Sequence, residues 1–186
     1  MTGIDEHEAL LGPMNPQVLY HFSEDPSIAR FVPHVPRTNP DHRRAVWAID
    51  AEHAPLYWFP RDCPRVTVWP LRAADLGTFQ QRFATASARL HAIESQWLQR
   101  MRDTHLFRYE FDPAGFVQWE EANGQWIAEF DVVPVAMSAV GDLLDAHAAA
   151  GIELRIVPSL WPFFDIAVGG EFDFSVVRMH NAQPRG

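Results

Sequence analysis

The stretch Leu19-Tyr-His-Phe-Ser-Glu-Asp-Pro26 places a short apolar run directly before a polar turn. The run Val18–Phe22 is typical of a strand, and Pro26 biases the preceding residue away from helical backbone, which ends the strand. Because side chains alternate between the two faces of a strand, His21 and Ser23 share a face. We therefore expect a strand that presents a histidine and a serine together, followed by two acids.

A second dense run, Val46 to Arg65, combines aromatic and polar residues. Ala45–Ile49 reads as a buried strand, and Asp50 is a candidate N-cap of a following helix with His53 at the third position. Arg65–Trp69 is rich in β-branched residues between two prolines and predicts a further strand.

The remainder of the chain predicts more short strands and two helices. One apolar stripe at intervals of three or four predicts a helix, and Ser138 is the expected cap of a second helix that stops at Gly151. Asn123-Gly124 predicts a hairpin turn. The stripe consists of Phe83, Ala86, Leu90, Ile93, Trp97 and Met101, and the other expected strands are 106–111, 116–119, 125–130, 152–157 and 172–179.

The order of these elements predicts an α+β fold, a small, split, mostly antiparallel sheet with short flanking helices. Residues 1–17 contain little periodicity and are expected to form a flexible N-terminal arm. Residues 18–186 are expected to form a single globular domain, since 186 residues with 47% hydrophobic content suffice for one core.

Composition restricts the function classes. The net charge of −9 makes nucleic acid an unlikely partner, and the chain contains no lysine, which excludes Schiff-base chemistry. No apolar run is long enough to cross a membrane and the N-terminus has no signal-peptide character, so a cytoplasmic location is expected. The nine histidines match no zinc spacing, and no metal site is expected.

Sequence motifs for common chemistries are largely missing. There is no glycine-rich phosphate loop and no G-x-S-x-G elbow. Cys63 is the single cysteine, so an internal disulfide is impossible. The neighbouring Arg61 and Arg65 would favour its thiolate, and a Cys63-dependent hydrolase with a histidine such as His21 or His53 stays open as one alternative.

Three separated parts of the chain resemble the ADP-ribosyltransferase-like fold, over about residues 18–136. Leu19-Tyr-His-Phe-Ser23 is similar to that fold's first-strand motif. Val46-Trp-Ala-Ile-Asp50 with Ala54-Pro-Leu-Tyr57 is similar to its second strand and the helix carrying Ala-x-x-Tyr. The segments 107–113 and 126–134 resemble the sheet that supplies its acidic position.

This resemblance implies NAD as a substrate, with no permanently bound cofactor and an unknown acceptor of ADP-ribose. It implies that His21 anchors the ribose and that Tyr57 stacks on nicotinamide. Glu129 is the favoured acid for stabilising the oxocarbenium-like transition state, with Glu121 and Glu120 behind it. The remaining expected substrate contacts are Ser23, Arg61 and Arg65, the arginines with the pyrophosphate.

Over its whole length the sequence also resembles an uncharacterised bacterial protein family that carries three motifs. These are His-Phe-Ser-Glu-Asp-Pro, Trp-Phe-Pro-Arg-Asp-Cys-Pro-Arg-Val and Pro-Ser-Leu-Trp-Pro. The leading hypothesis is thus an NAD-binding ADP-ribosyltransferase-like protein. A non-catalytic protein of the same fold that binds a ligand or a partner is the alternative from another class.

Overall fold

The computed structural model describes residues 16–35, 43–120, 122 and 124–186. They divide into two compact units. Unit 1 is formed by the described residues of Met1–His21, Ala29–His53 and Glu110–Ala136, and unit 2 by Phe22–Ile28, Ala54–Tyr109 and Met137–Gly186. The segments of both units alternate along the chain, and the single-domain prediction stays a prediction. All but the last two residues of the expected arm, 1–17, lie outside the described residues.

The described residues form ten strands and four short α-helices. The strands are β1 Leu19–Ser23, β2 Val46–Ile49, β3 Arg65–Trp69, β4 Leu90–Glu94, β5 Phe107–Phe111, β6 Val117–Gln118, β7 Gln125–Ala128, β8 Ala136–Ala139, β9 Glu153–Val157 and β10 Asp173–Val177. The helices are α1 Leu76–Phe83, α2 Leu98–Asp103, α3 Leu143–Ala149 and α4 Trp161–Ala167. Short 3₁₀ helices cover Ala54–Tyr57, Ala73–Asp75, Ser95–Trp97 and Met179–Asn181.

The strands form two mostly antiparallel sheets, which confirms the α+β prediction. One sheet has the order β6-β7-β2-β1-β5-β8, and the other has the order β10-β3-β4-β9. In the second sheet only β4 and β9 run parallel among the pairs described. No helix of the described residues has the length and apolar character needed to cross a membrane.

Unit 1 contains β2 and the first three residues of β1, including His21. β1 and β2 pair antiparallel with Tyr20 opposite Ile49, and β2 pairs with β7 along its whole length. The predicted hairpin is confirmed, because β6 and β7 pair antiparallel. Gly124 in its turn has a φ of +76°, and a Cβ there would collide with the His53 ring, so glycine is required on both grounds.

Unit 2 packs the second sheet between two apolar clusters. One face of β3 and β4 contributes Val66, Val68, Leu90 and Ala92 to a cluster with helices α1 and α4. Ile93, on the opposite face, joins a second cluster with residues of α2 and α3. Both faces of β4 are therefore buried, and every residue of this strand is inaccessible to solvent.

The helix predicted from the apolar stripe 83–101 is wrong. The stripe runs through the end of α1, the strand β4 and the helix α2. Because β4 is covered on both faces, its sequence lacks the alternation of apolar and polar residues that marks a half-buried strand. The apolar residues of β4 therefore fell at intervals that match the helical period, and the strand was mistaken for part of a helix.

Two helix starts also differ from the prediction. Ser138 lies in β8, and the cap of α3 is Asp142, whose side chain accepts the backbone N–H of Leu144 and Asp145 at 2.8 and 3.0 Å. Asp50 accepts the N–H of His53 at 2.9 Å as a cap would, but a 3₁₀ helix, Ala54–Tyr57, follows. A capping residue satisfies N–H groups locally, and tertiary packing decides which turn continues.

The buried carboxylate of Glu94 joins three distant parts of unit 2. At the end of β4, it accepts the backbone N–H of Leu160 at 3.2 Å and that of Gln183 at 2.9 and 3.1 Å. The amide of Gln96 donates to it at 3.1 Å. Leu160 belongs to the Pro-Ser-Leu-Trp-Pro motif, so one side chain connects that motif and the C-terminal segment to the sheet.

We predict that Glu94→Ala lowers the free energy of unfolding by about 2–4 kcal/mol, because buried N–H donors lose their acceptor. Chemical denaturation measures this change. Glu171→Gln is the matched control, since that acid is exposed and only 3.9 Å from Arg82 in a surface pair, and we expect a change within about 0.5 kcal/mol. An unfolding free energy for Glu94→Ala equal to that of the control would contradict the connecting role.

Candidate functional site

His21 in unit 1 is held by a backbone contact from the second motif strand. Its Nδ1 lies 2.9 Å from the carbonyl oxygen of Trp47. A carbonyl only accepts, so Nδ1 carries the proton, and in the neutral ring Nε2 is then a hydrogen-bond acceptor. The ring packs against Phe31 and Phe111 at centroid distances of 4.8 and 6.4 Å. The imidazole is therefore fixed in orientation and tautomer.

Glu129, the expected acid, lies directly after β7 in unit 1. The register places His21, Ala48 and Trp126 on one face of the sheet, and Ala128 shares it. Glu129 is the next residue and lies in a bend after the end of β7. Its side chain is 63% exposed and pairs with Arg43 at 3.4 Å.

The catalytic role of Glu129 stays a prediction. Of the two acids ranked behind it, Glu120 lies in the exposed turn after β6, and Glu121 lies outside the described residues.

Tyr57 in unit 2 ends the 3₁₀ helix Ala54–Tyr57. Its ring is stacked on that of Phe22 with 4° between the planes and 6.4 Å between the centroids. The Arg65 guanidinium lies 6.0 Å from the ring centroid. Burial raises the pKa of the Tyr57 hydroxyl. The ring is part of an aromatic and cationic stack, and its role toward nicotinamide stays a prediction.

Arg65 is a buried arginine, only 5% exposed. Its Nε donates to the carbonyl of Leu56 at 3.1 Å and its Nη1 to that of Cys63 at 3.2 Å, while the guanidinium lies 4.9 Å from the Phe59 ring centroid. Burial lowers the pKa of Arg65 to about 10, so it is still charged at neutral pH. These bonds hold the Pro60–Pro64 turn, and the expected pyrophosphate contact of Arg65 stays a prediction.

The carboxylate of Glu24 joins two of the sequence motifs within unit 2. One oxygen accepts the backbone N–H of Arg61 at 2.9 Å, and the other lies 3.3 Å from the guanidinium of Arg100. The hydroxyl of Ser23 accepts the N–H of Asp25 at 3.1 Å and so shapes the same turn. Sequence reasoning missed Glu24 and Arg100 as partners, although the two consecutive acids after β1 were a visible signal.

The phenol of Tyr109 fixes the rest of this turn. Its hydroxyl donates to the carbonyl of Asp25 at 2.7 Å and accepts the N–H of Ile28 at 3.2 Å. The Asp25 carboxylate also accepts from the N–H and hydroxyl of Ser27, which lowers the pKa of Asp25. The segment after β1 is thus a rigid polar turn.

Cys63 is completely buried in the turn that Arg65 holds. Burial, the largest effect, raises the pKa of the Cys63 thiol to about 12, and the nearby Arg65 lowers it only in part. Since the thiolate is the nucleophile, this environment opposes the Cys63-dependent hydrolase.

A cavity of about 760 Å³, which we call the Arg100 cavity, opens in unit 2. Its walls are Pro60, Asp62, Gln96, Trp97, Arg100, His180 and Asn181. A second cavity of about 390 Å³ lies beside α3, lined among others by Trp58, Arg108 and Ser138. Among the described residues, no three His, Cys, Asp or Glu side chains group so as to hold a metal ion.

Two buried histidines form a hydrogen-bonded pair in unit 2. His147 Nδ1 lies 2.6 Å from the carbonyl of Leu143, and its Nε2 lies 3.0 Å from His91 Nδ1. Nδ1 of His147 must donate to the carbonyl, so Nε2 accepts from His91, whose own Nε2 is left as a buried acceptor without a hydrogen-bond partner among the described residues. Burial lowers the pKa of both, strongly for His91.

A family model described as a family of unknown function (DUF6886) matches residues 20–182. No curated protein and no solved structure matches the chain. The matched range contains Glu24 and Arg100, every residue that lines the Arg100 cavity, and all six residues to which the resemblance assigns a role, His21, Ser23, Tyr57, Arg61, Arg65 and Glu129.

We predict that Cys63 resists thiol labelling at neutral pH in the folded protein and reacts fully in denaturant, because burial suppresses its thiolate. Labelling with a chromogenic disulfide measures both states. Fast labelling of the native protein, at a rate comparable to a free thiol, would restore the hydrolase alternative.

We also predict that the free energy of unfolding falls as the pH drops below about 6.5. The folded pKa of His91 and His147 lies below the ordinary value, so between the two values the unfolded chain binds more protons. Each histidine contributes up to about 1.4 kcal/mol per pH unit in that window, and the loss is absent above it.

Denaturation curves between pH 5 and 8 measure this dependence. His91→Phe should flatten it, whereas His105→Gln, a change at an exposed histidine, should leave it as in the wild type. A slope unchanged by His91→Phe would show that the buried pair is not its source.

Proposed function

We propose that this chain, which belongs to that family of unknown function, is an NAD-binding protein with an ADP-ribosyltransferase-like fold that cleaves the nicotinamide–ribose bond. One observation supports the proposal most. The two strands that carry the resemblance are neighbours in unit 1, and the histidine of the first donates from Nδ1 to the Trp47 carbonyl of the second at 2.9 Å. Residues 26 positions apart are thereby joined at the predicted ribose anchor.

The hydrogen bond suits the role proposed for His21. With its proton on Nδ1, the neutral ring presents Nε2 as an acceptor for a ribose hydroxyl. A fixed imidazole holds a sugar in one pose at little entropic cost, which favours a defined reaction geometry. The aromatic neighbours Phe31 and Phe111 maintain that orientation.

The proposed reaction breaks the bond between ribose C1 and the nicotinamide nitrogen. The bonding electrons leave with nicotinamide, whose ring becomes neutral, and the ribose becomes oxocarbenium-like. The acceptor's nucleophile then attacks C1 and loses its proton. A carboxylate near the ribose stabilises the developing positive charge, and Glu129 is the residue proposed for it.

The resemblance assigns further NAD contacts to Ser23, Tyr57, Arg61 and Arg65 in unit 2. Each stays a prediction that its own variant tests. Arg61 is the more suitable arginine for a pyrophosphate, because its residue is exposed, whereas the Nε and Nη1 donors of Arg65 are on backbone carbonyls.

The alternative of a non-catalytic binding protein is favoured by the surroundings of Glu129. This side chain is 63% exposed and pairs with Arg43 at 3.4 Å. A protein that retains the histidine and lacks a suitably placed acid would bind NAD without cleaving it.

We predict that the wild type binds NAD and that His21→Ala weakens binding at least about tenfold, since the ribose loses its hydrogen-bond partner. Calorimetric titration measures affinity, and thermal melting verifies that the variant is folded. His105→Ala removes an exposed histidine and serves as the control. No binding to the wild type at near-millimolar NAD would overturn the proposal.

Nicotinamide release separates the two forms of the proposal. Chromatography of wild-type protein incubated with NAD should show free nicotinamide, and Glu129→Gln should reduce the rate at least about a hundredfold while NAD still binds. Binding without release by the wild type would establish the non-catalytic alternative. Release undiminished in Glu129→Gln would assign the acid elsewhere.

A further inference from the structure

Three separated segments of unit 2 build the Arg100 cavity. They are the turn carrying Pro60 and Asp62, the segment carrying Gln96, Trp97 and Arg100, and the 3₁₀ helix carrying His180 and Asn181. About 760 Å³ is within the range of sites that bind small molecules and is large enough for a nucleoside phosphate. The cavity lies within one unit, and none of its lining residues is assigned to NAD, although Arg61, which is so assigned, lies between the wall residues Pro60 and Asp62.

Side chain to backbone hydrogen bonds hold these walls in place. Asn181 Nδ2 donates to the carbonyl of Asp62 at 2.8 Å, and Arg178 Nε donates to that of Arg61 at 3.3 Å. The Gln96 amide bridges Glu94 and Gln183 at 3.1 and 2.8 Å. A site whose walls are already ordered loses less entropy when a ligand binds.

The backbone at the entrance to the 3₁₀ helix is strained. Arg178 has a φ of +59°, a left-handed conformation that residues with a side chain rarely adopt. It directly precedes the helix that carries His180 and Asn181. Such strain persists only where surrounding contacts maintain it, and it concentrates at ligand-binding sites.

Charged side chains of both signs surround the cavity. Arg100 lines it and pairs with Glu24, Arg178 lies 4.0 Å from Asp62, and the Glu94 carboxylate accepts from the Gln96 amide. Arg100 is 60% exposed and uses Nη2 on Glu24, and a guanidinium has five N–H donors. Glu24 thus positions Arg100 while leaving it able to bind an anion.

The donors that line the cavity come from three kinds of side chain. They are the Arg100 guanidinium, the His180 imidazole and the amides of Gln96 and Asn181. The indole Nε1–H of Trp97, another wall residue, is buried away from solvent and has no hydrogen-bond partner among the described residues. A guanidinium, an imidazole and two amides together suit a ligand with oxygen acceptors and a planar or sugar portion.

We propose that the Arg100 cavity binds a phosphorylated small molecule of nucleotide size, with Arg100 and His180 contacting its phosphate. Arginine binds phosphate through paired N–H donors, and an exposed imidazole adds a further donor. The carboxylate of Asp62 and the side-chain oxygen of Asn181 are acceptors for hydroxyl or amino groups of the remaining part.

Calorimetric titration of the full chain with AMP tests this site. The wild type should bind AMP, and both Arg100→Gln and His180→Gln should weaken binding at least about tenfold. Arg102→Gln changes an exposed arginine on the same helix that does not line the cavity, and it should bind like the wild type. Adenosine, which lacks the phosphate, should bind at least about tenfold more weakly than AMP.

Three results would overturn the proposal: no AMP binding at near-millimolar concentration, equal affinities of AMP and adenosine, or equal affinities of wild type and His180→Gln. Because Arg100→Gln also removes the pair with Glu24, thermal melting verifies that this variant folds. If Arg100→Gln is unfolded, the affinity of His180→Gln decides the outcome. Inorganic phosphate binding as tightly as AMP would likewise overturn it, since the ligand would then be phosphate alone.

Two further measurements test where on the protein AMP binds. Nitrogen–proton spectra should show the Trp97 indole signal, assigned with Trp97→Phe, shifting on AMP addition, and a stationary signal would contradict the location. AMP binding should persist in folded His21→Ala, whatever the outcome with NAD. Loss of AMP binding in that variant would instead assign the nucleotide to the surroundings of His21 and overturn the assignment to this cavity.

Discussion

The carboxylate of Glu94 is the contact on which the organisation of unit 2 depends. It is fully buried, and its two oxygens accept N–H donors from three residues that lie between 2 and 89 positions away. A charge can be buried at acceptable cost only where such donors replace water. The Pro-Ser-Leu-Trp-Pro motif and the segment around Gln183 are therefore positioned by the strand β4. The indole of Trp161 strengthens this by donating to the carbonyl of Gln183 at 2.8 Å.

The interior of unit 2 holds other polar groups by the same principle. Arg65 is buried with its donors on two carbonyls, and His91 is buried against His147. Each of these groups ties a turn or a helix to the sheet, because a buried donor or acceptor needs a partner at a defined position. The Nε2 of His91 has no hydrogen-bond partner among the described residues, and burial lowers the pKa of this histidine well below its ordinary value.

The motifs seen in the sequence serve structure and candidate chemistry together. Glu24 connects the turn after β1 to the backbone of Arg61 and to the guanidinium of Arg100, which lines the largest cavity described. Cys63 is buried between Pro60 and Pro64, burial raises the pKa of its thiol, and Arg65 donates to its carbonyl and so orders the turn. The Pro-Arg-Asp-Cys-Pro segment thus contributes to the candidate ligand site through Pro60 and Asp62, which form part of the cavity wall.

Sequence alone determined the α+β class, the strand bearing His21, the hairpin at Gly124 and the strands β3, β5, β9 and β10, because turn residues and β-branched runs are local signals. It failed for β4, where burial of both faces removes the alternating pattern. Only the tertiary structure placed Glu24 beside Arg61 and Arg100, buried Arg65 and Cys63, and assembled the Arg100 cavity from segments up to 121 positions apart in numbering. These contacts join residues that are distant along the chain. The pattern of neighbouring residues in the sequence does not identify which distant residue will pair with a buried charge or line a cavity.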